Sequence, residues 1–71
     1  MLKVLVVIDL LKLKSERMRR MLSQEKVAKV LGMTRVSFNS KETGRQPFNE
    51  GELGTLLELL ELKMEDVRCS K

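Results

Sequence analysis

Ser23-Gln24-Glu25-Lys26-Val27-Ala28-Lys29-Val30-Leu31-Gly32-Met33-Thr34-Arg35-Val36-Ser37-Phe38-Asn39-Ser40-Lys41-Glu42-Thr43-Gly44-Arg45 decides how the chain is read. It holds two short helix patterns joined by a tight turn at Gly32. Ser23 suits the N-cap of the first, because its hydroxyl can accept an orphan backbone N–H of the opening turn. Val27, Ala28 and Leu31 follow at helical spacing as an apolar stripe. Gly32 stands just past the last apolar residue, where a left-handed conformation ends a helix without a Cβ penalty. Thr34 caps the second pattern, whose buried side includes Phe38. Ala28 is the telling residue: where two helices cross closely, a side chain larger than a methyl would push them apart.

Helices over 24–31 and 35–42, crossing at a small residue and separated by a glycine turn, make a helix-turn-helix over 24–42. On these residues the sequence resembles the phage-repressor and Cro-like helix-turn-helix regulators. The resemblance runs from about Leu13 to Val67. Leu22-Ser23-Gln24-Glu25, Val27-Ala28 and Leu31-Gly32-Met33 are very close to the λ repressor pattern, and Lys41-Glu42-Thr43-Gly44-Arg45-Gln46-Pro47-Phe48 is similar to the family's Glu-Asn-Gly-Lys segment. Thr43 replaces the usual Asn, Met21 stands where Gly is frequent, and Lys41 stands where an apolar residue is commoner. The resemblance implies an all-α, compact five-helix domain of λ repressor type.

Seventy-one residues make one domain, 1–71. A chain of this size buries only about 60% of its unfolded surface, so association would help it. Phe38 and Phe48 are the only aromatics, which leaves the core to Leu, Val and Met. One cysteine, Cys69, allows no internal disulfide and suits a reducing compartment, so a cytoplasmic, nucleoid-associated protein is expected. The absence of His argues against a metal site. No nucleophile–base cluster and no phosphate-cradling Gly loop is present, so neither an enzyme, a cofactor nor a small-molecule ligand is expected.

Charge is divided along the chain. Residues 12–46 hold ten Lys or Arg against three acids, a balance of +7, whereas residues 47–71 hold three bases against six acids, a balance of −3. A basic half beside an acidic half suits a polyanion on one face. Basic side chains can also simply solvate a surface; on a helix-turn-helix the polyanion reading gains weight.

The first residues are the least typical. Val4-Leu5-Val6-Val7-Ile8 is apolar and mostly β-branched, which favours a strand over residues 3–8. It is far short of the roughly 20 residues of a membrane span, and no small-residue cleavage site follows it. A lone strand leaves its backbone unpaired. Residues 1–8 are therefore expected to pair with the same strand of a second subunit, the alternative being an N-terminal extension of the first helix. Asp9 can cap that helix, expected over about Leu10 to Met21, with Leu10, Leu13 and Met18 or Met21 facing the core. Glu16 lies among arginines and can orient one. Phe48 is expected to anchor the loop after the recognition helix. Asn49 with Glu52 forms a capping box, and Leu53, Leu56, Leu57 and Leu60 continue as an amphipathic stripe. Met64 to Val67 reads as a short fifth helix, followed by a frayed end at Cys69, Ser70 and Lys71.

The major groove admits one α-helix, whose N-terminal residues reach base edges. Carried over by position, the resemblance assigns base contacts to Arg35, Val36 and Ser40; exposure adds Asn39. Arg35 can donate two parallel bonds to guanine, and Val36 can pack on a thymine methyl. Gln24, at the start of the first motif helix, is expected to meet phosphate through its backbone N–H. Lys41, Thr43 and Arg45 are placed to do the same after the recognition helix, Lys41 with its stem along the core. The expected partners are double-stranded operator DNA and a second copy of the chain, with no membrane involved. The expected function is a sequence-specific transcriptional regulator, a repressor of phage or bacterial type. An antitoxin or protein-interaction module is the alternative, since a fold does not settle a function.

Overall fold

The computed structural model describes residues 7–69. Within them lie β1 (Val7–Ile8), α1 (Leu10–Arg19), α2 (Gln24–Leu31), α3 (Arg35–Glu42), α4 (Glu50–Leu60), α5 (Met64–Val67) and β2 (Arg68–Cys69). The five-helix expectation holds, with a minimal two-stranded sheet added.

Local chemistry sets the helix starts. Asp9 Oδ1 accepts from the Lys12 N–H (3.1 Å), Ser23 Oγ from Lys26 (3.0 Å), and Thr34 Oγ1 from Ser37 (3.1 Å). Asn49 and Glu52 close a reciprocal box, with Glu52 N–H to Asn49 Oδ1 at 2.7 Å and Asn49 N–H to Glu52 Oε1 at 3.1 Å. Each cap satisfies a backbone donor that the helix itself leaves unpaired.

The four longer helices also end alike. After α2, Gly32 N–H donates to Lys29 O and Met33 N–H to Ala28 O. The same nested pair recurs at Met21 and Leu22, at Gly44 and Arg45, and at Glu61 and Leu62. This is the Schellman arrangement, which needs one left-handed residue. Gly32 (φ 75°) and Gly44 (φ 90°) supply it without strain, whereas Met21 (φ 57°) and Glu61 (φ 58°) adopt it despite a Cβ. Helix α1 thus stops at Arg19 rather than at Met21, because Met21 has turned left-handed to close it.

The core gathers Leu13, Val27, Ala28, Phe38, Val67 and the four leucines of α4, all buried. The Phe48 ring lies 6.0 Å from that of Phe38 at 58°, so the post-recognition loop is anchored as expected. One expectation about α1 fails: Met18 and Met21 are 57% and 91% exposed. The inward positions after Leu10 and Leu13 continue to residue 17 at helical spacing, and an arginine occupies it. Arg17 is buried because a carboxylate meets it there.

Val7 and Ile8 form a strand, not an extension of α1; the rest of the expected strand, residues 3–6, lies outside the described residues. Their partner is within the same chain. Val7 pairs antiparallel with Cys69 and Ile8 with Arg68, and Asp9 N–H donates to Val67 O at 2.6 Å. Cys69 is accordingly in β2 rather than frayed, and Ser70 and Lys71 lie outside the described residues. The short sheet joins the two ends of the described residues.

Candidate nucleic-acid interface

Helices α2 and α3 pack on one another through Val27, Ala28 and Phe38, all fully buried. The methyl of Ala28 permits the close crossing, and the left-handed Gly32 turns the chain between them. This presents the outer side of α3 to solvent. Arg35, Val36 and Asn39 are exposed and Ser40 is half-buried. Residues one turn apart share a helix face, so Arg35, Val36, Asn39 and Ser40 form a continuous strip from the helix start. Val36 is 67% exposed, an apolar β-branched side chain left in water. Arg35 makes no ion pair or side-chain hydrogen bond among the described residues.

Beneath the strip runs a polar network. Arg17 Nε donates to Glu42 Oε2 at 2.8 Å and Arg17 Nη2 to Glu42 Oε1 at 3.3 Å, a two-pronged pair with both side chains over nine-tenths buried. Arg17 Nη1 also donates to Leu22 O at 2.7 Å, tying the α1–α2 connection to the same point. Gln24 Nε2 donates to Glu42 Oε1 at 2.7 Å and to Asn39 Oδ1 at 3.0 Å. The network therefore reaches from the core of the motif to the exposed strip of α3. Every buried side-chain nitrogen and oxygen among the described residues has a partner. The sequence reading counted Arg17 only among the ten bases of residues 12–46 and gave Glu42 no role. The available signal was the spacing of Leu10, Leu13 and residue 17, which turns 17 inward.

The expected phosphate contacts are differently placed. Gln24 opens α2 with its backbone N–H outward, while its side chain is engaged by Asn39 and Glu42. Thr43 is exposed, but its hydroxyl donates to Asn39 O (2.8 Å) and its N–H donates to the same oxygen (3.0 Å). Arg45 is exposed on the loop that follows. Lys41 Nζ donates to Glu52 Oε1 at 2.6 Å, with its side chain only 15% exposed. Its stem lies along the core as expected, but the ammonium faces Glu52. The Lys41 ammonium, together with the Asn49 N–H, holds the Glu52 carboxyl below the usual carboxylate range.

Ion pairing also thins the basic half. Glu16 gathers Arg20, Arg19 and Lys12, and the two arginines lower its carboxyl, Arg20 most. With Arg17 and Lys41 also engaged, Arg35, Arg45, Lys14, Lys26 and Lys29 remain unpaired among the described residues. Lys26 and Lys29 are exposed on α2 and line one shallow depression with Ser23 and Glu25. Sequence reasoning did not single them out, although both fall off the apolar stripe of α2. No helix among the described residues is long and apolar enough to cross a membrane.

Residues 11–68 match the model of a family described as a helix-turn-helix domain, which covers most of the chain. The chain belongs to that helix-turn-helix family. No curated protein and no solved structure matches it. As a member of a DNA-binding helix-turn-helix family, it carries α2 and α3 as the two helices of the motif. The strip of Arg35, Val36 and Asn39 is then the outer face of the motif's second helix.

Proposed function

We propose that this helix-turn-helix protein is a sequence-specific transcriptional regulator, a repressor of the phage or bacterial Cro-like type, acting in the cytoplasm on the nucleoid. The observation that carries the reading is the strip on α3: an unpaired arginine, an exposed valine and an exposed asparagine on one face. Helix α3 enters the major groove. Arg35 donates its two parallel N–H bonds to guanine O6 and N7, Val36 covers a thymine methyl, and Asn39 and Ser40 meet base edges one turn later. The buried Arg17–Glu42 pair makes the helix a rigid reader.

Around the strip, the backbone N–H at the start of α2, beside Gln24, takes a phosphate with the help of the helix dipole. Thr43 and Arg45 grip the backbone on the other side. Lys41 joins them by exchanging Glu52 for a phosphate. These contacts set register and give salt-dependent affinity, while base contacts give choice.

The protein acts as a homodimer on double-stranded operator DNA. Two-fold symmetry places two recognition helices about 34 Å apart, on successive major grooves of one DNA face. One edge of β1 is taken by β2, and its other edge has no partner among the described residues, which keeps strand pairing open as the dimer contact.

The test is selection of bound duplexes from a random DNA pool. The expected result is a two-fold symmetric consensus with half-sites one helical turn apart. An unenriched pool, together with a protein partner captured equally well after nuclease treatment, would instead support an antitoxin or protein-interaction module.

A further inference from the structure

We infer that Glu52 withholds the Lys41 charge from DNA, so that one carboxylate competes with phosphate and lowers the affinity of the protein for every duplex alike. The inference rests on the DNA-binding reading of α3 and its following loop, and concerns what sets the strength of that binding. Lys41 stands in the last turn of α3, and Glu52 in the first turn of α4 across the connecting loop. The Lys41 ammonium donates to Glu52 Oε1 at 2.6 Å, and the two side chains are only 15% and 19% exposed. A pair so far withdrawn from water is screened less than a surface pair. The ammonium has two further N–H groups, but they do not escape the competition. A phosphate that shared the ammonium would lie beside the Glu52 carboxylate, and one positive charge would then serve two anions.

The acid is fixed and the base is the mobile partner. Glu52 Oε1 also accepts from the Asn49 N–H at 3.1 Å, and the Glu52 N–H donates to Asn49 Oδ1 at 2.7 Å. The start of α4 favours a negative charge there as well. The carboxylate therefore keeps its place when the ammonium leaves. Lys41 has a flexible stem and lines a cleft beside Gln46 and Pro47, so its ammonium can swing toward the loop that carries Arg45. Arg45 is exposed and has no acid among the described residues, whereas Lys41 must first be released. Phosphate carries no base identity, so the competition acts on random and selected sequences equally. Glu52 thereby limits how much of the protein is held on non-specific DNA.

The test measures binding of a short duplex of arbitrary sequence, at low salt, by the wild-type protein, Glu52→Gln, Lys41→Met and the double variant. Glutamine keeps the acceptor of the capping box, and methionine keeps an unbranched apolar stem. Glu52→Gln should bind about threefold more tightly for each bound subunit, the scale of a modest ion pair. In the Lys41→Met background the same substitution should change affinity far less. An unchanged affinity in Glu52→Gln overturns the inference. So does an equal gain with and without Lys41, because Glu52 would then act only by repelling phosphate from a distance. Circular dichroism checks that all four proteins are folded. If a variant does not fold, side-chain NMR of the wild type decides. Its Lys41 Cε–H and Glu52 carboxyl signals should both shift as duplex is added, and Glu52 signals that stay at their free positions overturn the inference. No binding by any of the four proteins overturns the DNA-binding reading itself, and the inference with it. Binding without the Lys41-dependent gain overturns the inference alone.

Discussion

Met21 carries a local strain that one substitution can relieve. It closes α1 in a left-handed conformation, and its side chain is 91% exposed, so no packing compensates. The conformation costs an L-residue about 1–2 kcal/mol, against roughly 0.5–1 kcal/mol of added chain entropy for glycine. Met21→Gly should therefore stabilise the protein by about 0.5–1 kcal/mol, seen as a higher Tm by circular dichroism. An unchanged or lower Tm would mean that the side chain has a partner in solution. Arg35 and Arg45 should separate by role. Arg35→Ala should cost about 1–3 kcal/mol on the preferred site and relax choice at one base pair, whereas Arg45→Ala should weaken all sequences alike. Equal losses on specific and random DNA for Arg35→Ala would remove it from the base-reading set. Most residues of the strip were legible because a helical repeat and a capped start fix which positions face outward. The partners of Arg17, Lys41 and Gln24 were not, because they join residues 11 to 25 apart, which only the packed helices bring together.

At the scale of the elements, the Arg17–Glu42 pair joins α1 to the end of α3. Removing one member of a buried pair leaves an uncompensated charge, which costs about 3–5 kcal/mol. Glu42→Ala should thus come close to unfolding a domain this small, while Arg17→Met with Glu42→Leu should recover most of the loss. Urea denaturation of the two variants distinguishes these outcomes; equal destabilisation by both would show that the pair contributes more than charge compensation. Helix α4 is tied to α3 more weakly, by Lys41 and Glu52. Because the folded Glu52 carboxyl is held below its ordinary 4.5, its contribution is present above that pH and is lost as pH falls through the lowered value. The Tm gap between wild type and Glu52→Gln should be steady near neutrality and narrow on acidification below 4.5. A gap that widens on acidification would contradict the assigned sign. The elements themselves were largely legible, since each of the four longer helices starts on a capping side chain. The end of α1 was misjudged by two residues because nothing local marks Met21 as left-handed. The partner of Val7 and Ile8 was hidden because strand pairing is non-local, and a β-branched run shows a strand without showing its mate.

For the whole molecule, the central claim is that a capped, rigidly held α3 reads operator DNA from a dimer. The division of charge noted in the sequence survives folding in reduced form, since carboxylates engage half of the bases in residues 12–46. Arg35, Arg45, Lys14, Lys26 and Lys29 remain unpaired among the described residues, and Arg35 and Arg45 are the ones the proposed reading sets against DNA. Light scattering at binding concentrations should give twice the 8.2 kDa chain mass, and a monomer mass on a bound half-site would remove the two-fold arrangement. The most direct measurement is a fluorescence-anisotropy titration of the selected operator against a scrambled duplex over a range of salt. If about six phosphates are neutralised per dimer, log K for the operator should fall against log salt with a slope near −5. The operator should also remain at least about a thousandfold preferred over the scrambled duplex. A slope near zero, or equal affinity for both duplexes, would contradict the account.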